Sequence, residues 1–350
     1  MDTSKGGKEA VLTKSDGTKE TGAEESTAES NKPEKFCSAC GRSGASTDLK
    51  KCTACKCVFY CDVSCQKSHR KEHKFHCKQV QTILAKRRDT AEEGECLGPL
   101  EEPPPREECP ICMRVLPIEE ELGSYMTCCG KILCSGCLLE QEKRLDALNA
   151  ERTCAFCRTV AAKSPEEQHQ RELRRMVMKD RVAILGVALN FRDGCVGPSR
   201  STGIVPVDKA KSVELLRQAA DLGSEGAHYR LGMLHQTGEM GVTINEAKAM
   251  SHYEEAAERG HVFSRHNLGV VAYGGDNKTL AMRHFRIAAA AGYGQSIDGL
   301  ILCFEDAVMR HSDLAESLQA RDRAQLEMKS EARDHAMAHL REKGMYEDLE

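Results

Sequence analysis

Tryptophan is absent from this 350-residue chain, and aromatic residues make up only 4% of it. That excludes a single large core built on aromatic side chains. No apolar run approaches the ~20 residues that a membrane-spanning helix needs, so no membrane partner is expected. Residues 1–35 are rich in Ser, Thr, Lys, Glu and Gly and contain no apolar segment of the kind a secretory leader carries. Such a composition predicts a disordered tail. Neither sign of charge dominates, since the formal net charge is −4, so the whole chain has no bulk attraction to nucleic acid.

Cysteine, by contrast, is plentiful. Of 19 cysteines, fifteen between Cys37 and Cys157 fall in tight clusters readable as ligands. Without a leader, a reducing intracellular compartment is expected, either cytoplasm or nucleus. Clustered thiols there read as metal sites rather than disulfides. The first cluster runs Cys37-x2-Cys40, Cys52-x2-Cys55, Cys61-x3-Cys65 and His73-x3-Cys77. The second runs Cys109-x2-Cys112, Cys128-Cys129, Cys134-x2-Cys137 and Cys154-x2-Cys157. A C-x-x-C turn directs two sulfurs to one tetrahedral zinc, and eight ligands make two sites. Each cluster thus predicts two zinc ions, four in all. Zinc would supply folding energy that modules of this size and apolar content lack.

Between the clusters lies an acidic linker, 91–108, whose Pro103-Pro104-Pro105 run predicts an extended, semi-rigid spacer. With separate zinc sites on either side, this spacer predicts that 36–90 folds without the rest. Ser164, Pro165 and Glu167 announce a helix start. From about 183 a repeat appears. Leu185-Gly186, Leu231-Gly232 and Leu268-Gly269 recur after 46 and then 37 residues. Each is followed by an Ala-Ala-x-x-Gly signature, at Ala219 to Gly223, Ala256 to Gly260 and Ala288 to Gly292. A period near 37 with two helical patterns per unit predicts stacked helix pairs. The stretch "GCVGPSRSTGIVPV" reads as a loop insertion in the first unit. Residues 304–350 are expected to form charged helices, with Met328, Ala332, Ala336 and Leu340 on one stripe, capping the solenoid in solvent.

These segments resemble known families. Residues 183–300 are similar to Sel-like repeats, relatives of the tetratricopeptide repeat, which implies protein partners. The first cluster, with "CTACKCVFYCDVSCQKSHRKEHKFHC", resembles a MYND zinc finger. That resemblance implies interleaved ligands: Cys37, Cys40, Cys61 and Cys65 on one zinc, and Cys52, Cys55, His73 and Cys77 on the other. It also implies a peptide groove at Gln66, although Arg70 stands where the family places a Trp. Cys57 is left over as a buried thiol, and His69 and His76 are expected at the surface. The finger is basic, with a formal +8 over 36–90 that falls to +5 once the zinc sites are counted. An acidic protein suits that face better than nucleic acid, because no aromatics are interleaved for base stacking.

"CPIC", "CGKILCSGC" and "CAFCR" resemble a RING finger over about 50 residues. The resemblance implies one zinc on Cys109, Cys112, Cys134 and Cys137. Lys131 stands where a His ligand is usual, and a protonated amine cannot replace it. Cys128 and Cys129 are the remaining thiols for a second zinc with Cys154 and Cys157. Adjacent side chains on extended backbone diverge, so a sharp turn is required, which Gly130 would permit. A three-thiolate site or a one-zinc finger are the alternatives. The resemblance further implies that Ile111 and Arg158 contact a ubiquitin-conjugating enzyme, with Ala155 departing from the usual Pro.

The expected architecture is therefore small zinc-stabilised α+β cross-brace modules at 36–90 and 109–160. An all-α solenoid of helix-pair repeats at 164–303 and the C-terminal charged helices follow. The expected function is a multi-module interaction adaptor. In the leading reading it is a RING-type ubiquitin ligase or ligase-like adaptor without a covalent catalytic residue. A non-enzymatic scaffold or a nuclear regulator is the alternative.

Overall fold

The computed structural model describes residues 35–43, 49–87, 98–118, 123–196 and 201–342. Expectations for the tail 1–34, for 88–90 at the end of the first module, for 91–97 of the linker and for 343–350 lie outside these residues.

The first module contains a short antiparallel pair, β1 (Lys50–Lys51) and β2 (Phe59–Tyr60), followed by α1 (Val63–Ser68) and α2 (Arg70–Lys86). Asp62 caps α1 by accepting a hydrogen bond from the Cys65 N–H at 2.8 Å, which fixes the turn on which Cys61 and Cys65 sit. The second module pairs β3 (Gly123–Met126) with β4 (Lys131–Cys134) and continues into α3 (Ser135–Ala147).

Helices then follow one another: α4 (Pro165–Val177), α5 (Arg181–Asp193), a small hairpin of β5 (Cys195–Val196) and β6 (Ser201–Thr202), α6 (Lys209–Asp221), α7 (Glu225–Thr237), α8 (Glu246–Glu258), α9 (Val262–Gly274), α10 (Lys278–Ala290), α11 (Gln295–Glu305), α12 (His311–Met328) and α13 (Glu331–Glu342). Ser164 caps α4 through the Glu167 N–H, with Pro165 at the first helical position. The hairpin occupies the insertion read in the sequence. Helices α5 and α6, α7 and α8, and α9 and α10 pack against one another as pairs.

The Leu-Gly signature marks where two helices cross. A Cβ on Gly232 would stand 2.7 Å from the Tyr253 ring, and one on Gly269 would stand 2.6 Å from the Phe285 ring. Glycine lets each aromatic ring of the second helix lie on the backbone of the first. Gly186 has no such neighbour within 4 Å among the described residues, because the first repeat places no ring there.

Three expectations fail for one reason. The first zinc module is not separate. Its residues Val58, Phe59, Val80 and Ile83 belong to the same apolar core as Leu300, Phe304, Leu314 and Leu318 of α11 and α12. His311 Nε2 donates to Cys55 O at 2.8 Å, and Gln319 donates to Cys57 O at 3.1 Å. His69 and His76, expected at the surface, are 5% and 9% exposed. His69 lies between the Tyr60 hydroxyl, 3.0 Å away, and the buried Asp322 of α12, while His76 faces Asp298 at 3.3 Å. Nor are the C-terminal helices a solvated cap. Helix α12 covers the first module, and α13 packs on α3 so closely that a Cβ on Gly136 would meet the Arg333 nitrogen at 2.8 Å. The expected stripe is broken at Lys329–Ser330, between the two helices.

The proline linker is likewise no free spacer. Arg286 donates to Gly98 O, Arg106 donates to Ala291 O, and Pro103 and Pro104 lie in a hollow with Ala257, Val262 and Ala288.

Candidate metal centres

Four of the five C-x-x-C pairs fold into the same knuckle, whereas Cys134 and Cys137 span the end of β4 and the first turn of α3. The N–H four residues after the first cysteine closes each turn on that cysteine's carbonyl: Gly41 to Cys37 O, Lys56 to Cys52 O, Met113 to Cys109 O and Arg158 to Cys154 O, at 2.8–3.0 Å. The closing residue is in left-handed backbone every time, with φ of +76, +58, +55 and +64. The first cysteine's N–H is tied across the loop, as in Cys109 to Arg114 O and Cys154 to Thr159 O. Both sulfurs are thereby aimed to one side.

The structure brings the candidate ligands into four quartets. These are Cys37, Cys40, Cys61 and Cys65; Cys52, Cys55, His73 and Cys77; Cys109, Cys112, Cys134 and Cys137; and Cys128, Cys129, Cys154 and Cys157. Within each, all ligand atoms lie within 4.8 Å of one another. The donor set can be tested against the ion. A tetrahedral zinc with Zn–S of about 2.3 Å places its sulfurs ~3.8 Å apart. Cross-pair sulfur separations are 3.6 Å for Cys40 and Cys61, 3.7 Å for Cys52 and Cys77, 3.8 Å for Cys112 and Cys134, and 3.9 Å for Cys129 and Cys154. His73 presents Nε2, 3.4 Å from the Cys55 sulfur. All are far beyond a disulfide bond length, and the quartets fit zinc.

The adjacent cysteines reach one quartet through the turn that follows β3. Met126 O accepts from both the Cys129 and Gly130 N–H groups, at 3.2 and 2.7 Å. Gly130 has φ of +72, and a Cβ there would also meet the Arg175 guanidinium at 2.6 Å. Arg175 holds the turn by donating to Thr127 O, and Asp180 accepts from the Tyr125 hydroxyl at 2.6 Å. Thus α4 and α5 brace the fourth quartet. Lys131 is exposed on β4 and takes no part.

Electrostatics explain why the quartets need a cation. Burial, aided by the neighbouring Cys55 and Cys52 sulfurs, pushes the Cys77 thiol up to about 12. The Thr159 hydroxyl acts the other way and holds the Cys157 thiol down to about 6. A quartet of mutually repelling thiolates is held charged by the ion it binds. Arg333 of α13 adds positive charge at the third quartet. It donates to Val115 O at 2.7 Å and Met328 O at 2.6 Å, and approaches the Cys112 sulfur at 3.6 Å. Its place had no signal in the sequence beyond a charged residue on a helix.

The non-ligand candidates are all on the surface. Ile111 is 41% exposed at the tip of its knuckle, Arg158 is exposed beside its own, and Gln66 is exposed on α1. Met113 and Phe156, 69% and 43% exposed, are apolar knuckle residues that the sequence reading passed over. Phe156 sits between Cys154 and Cys157 as Ile111 sits between Cys109 and Cys112, and that parallel was the available signal. Cys57 is fully buried, 3.3 Å from His311 Nε2.

Comparison with known proteins agrees with the two outer modules. The family model of the MYND finger matches residues 37–77, and that of the Sel1 repeat matches 197–224, 226–261 and 263–293. Residues 109–160 lie outside both spans. Among solved structures, a Sel1 repeat protein from Oxalobacter formigenes is 23% identical with a TM-score of 0.33, covering 37% of this chain and 95% of its own. The protective antigen c5321 of uropathogenic Escherichia coli, described as displaying an SLR fold, is 17% identical with a TM-score of 0.38. It covers 61% of this chain, which spans 42% of that protein's length. No helix among the described residues is long and apolar enough to cross a membrane. The chain carries a MYND finger and Sel1 repeats, the make-up of a zinc-binding protein-interaction adaptor.

Proposed function

We propose that this adaptor is a RING-type ubiquitin ligase in which the finger at 109–160 engages a ubiquitin-conjugating enzyme. The repeats at 164–303 and the MYND finger at 36–90 would select the target. The observation that carries the reading is the cross-braced pair of cysteine quartets in 109–160, with Ile111 and Phe156 exposed at two knuckle tips and Arg158 exposed beside the second. No nucleophile is required. In this reading the cysteine quartets would hold zinc and so fix the knuckles, the apolar tips would supply a contact for the conjugating enzyme, and the Arg158 guanidinium would bridge enzyme and ubiquitin. Rate is gained by holding the thioester in a reactive geometry. Gln66, exposed on α1, is the candidate peptide contact of the MYND finger.

The scaffold reading draws on a different observation: α3 is held against α13 and the finger is braced by α4, which suits a fixed structural module. In-vitro autoubiquitination with a panel of conjugating enzymes separates the two. Ubiquitin discharge stimulated by the zinc-loaded chain and lost in Ile111→Ala supports the ligase. No stimulation of any conjugating enzyme leaves the scaffold.

A further inference from the structure

Each repeat ends its second helix with the same turn. Gly223, Gly260 and Gly292 have φ of +79, +91 and +102. In each turn the glycine and the next residue return their N–H groups to the two signature alanines: Gly223 and Ser224 to Ala220 and Ala219, Gly260 and His261 to Ala257 and Ala256, Gly292 and Tyr293 to Ala289 and Ala288. The turns match in backbone but differ in what covers them.

Against Gly292 lie Met328, Ala324 and Ile118. Against Gly260 lie the chain's own Pro104 and Pro105, with atoms 3.6 and 3.5 Å from where a Cβ would be. Against Gly223, within 4 Å, there is only the Nε of Arg259 at 3.6 Å among the described residues. The Gly223 turn faces a cavity of about 1360 Å³, bounded by Leu185 of α5, Gly226, Phe263, and Ala155 and Ala162 of the finger side, and lined as well by Gly260 and the linker's Pro105. That is larger than the ~300–1,000 Å³ of small-molecule sites, and of a size for a stretch of chain.

The occupant can be read from the covered turn. Leu100, Pro103, Pro104 and Arg106 are partly buried while Glu101, Glu102 and Pro105 are exposed. A run of three prolines favours an extended polyproline strand, which has no internal hydrogen bonds and little freedom to lose. A glycine without Cβ lets the flat proline ring approach the turn. Arg259 offers an N–H beside Gly223 for a strand carbonyl.

We propose that the cavity at the Gly223 turn is a docking site for an extended, proline-bearing segment of a partner protein, laid across Gly223 as Pro104 and Pro105 lie across Gly260. The proposal rests on the interaction reading of the repeats and is independent of ligase activity.

The test is fluorescence anisotropy with the zinc-loaded full chain. The probe is a labelled nine-residue copy of 98–106, GPLEEPPPR, beside a copy whose three consecutive prolines are alanines. Saturable binding of the first, and weakening by about tenfold or more for the second, are expected. Leu185→Arg places a guanidinium in the cavity and should abolish binding with zinc content and circular dichroism unchanged. If Leu185→Arg misfolds, Ala162→Arg makes the same test. Binding that survives the folded cavity variant overturns the proposal, because the peptide is then elsewhere, for example on the Gly260 turn in place of the linker. Absence of saturable binding to the wild-type chain also overturns it, whatever the ubiquitin assay shows.

Discussion

Of the residues that close the four C-x-x-C knuckles, only Gly41 is the type that left-handed backbone favours; Lys56, Met113 and Arg158 hold the same conformation with a side chain. At Arg158 this separates fold from function. Arg158→Gly relieves backbone strain of about 1 kcal/mol and should keep all zinc, with thermal stability equal or slightly raised. Under the ligase reading the same variant, like Arg158→Ala, slows ubiquitin discharge while binding the conjugating enzyme almost normally. Normal discharge by a zinc-replete Arg158→Gly protein would reduce the residue to a knuckle closure. The repeat glycines offer a second contrast. Gly269→Ala forces a methyl into the Phe285 ring and should cost roughly 1–3 kcal/mol as overpacking. Gly186→Ala meets open space on the same signature and gains helix propensity of up to about 1 kcal/mol. Chemical denaturation of the two variants should move in opposite directions; equal losses would contradict the crossing geometry.

At the scale of elements, α13 is a working part of the second finger. Arg333 ties three backbone carbonyls and nears the Cys112 sulfur from a helix some two hundred residues downstream. Arg333→Met removes the outer support of one quartet, and such outer partners typically contribute 10–100-fold in metal affinity. One zinc should therefore pass to a colorimetric chelator faster than in wild type, the others at the wild-type rate; an unchanged release curve would assign Arg333 to packing alone. What could be read in advance follows the same division. The ligands were legible because C-x-x-C spacing encodes a local knuckle, their interleaving into quartets only through the resemblance to MYND and RING fingers, and the repeats because Leu-Gly and Ala-Ala-x-x-Gly recur. The Cys128-Cys129 pair needed Gly130, and that too is local. The partners of Arg333, of His69 and of Pro104 are not local. Nothing near His69 in sequence announces Asp322, so a buried histidine on a polar helix read as a surface one.

The whole molecule contradicts the modular picture most plainly at the MYND finger. Its Val80 and Ile83 share one core with Phe304 and Leu318, so removing α11 and α12 exposes that apolar face. Residues 36–90 alone, with zinc, should give a poorly dispersed amide spectrum, and the full chain should unfold the finger together with the last helices. A sharp, dispersed spectrum from the isolated segment would restore independent folding. Above this stands the claim on which the fold and every functional reading depend, that four cysteine-rich quartets each hold one zinc, including the one built on adjacent cysteines. Native mass spectrometry of the freshly reduced, full-length chain counts them directly. The account predicts a mass increase of four zinc ions per chain. A stoichiometry of three would contradict the Cys128-Cys129 quartet, and two or fewer would contradict the cross-braced arrangement altogether.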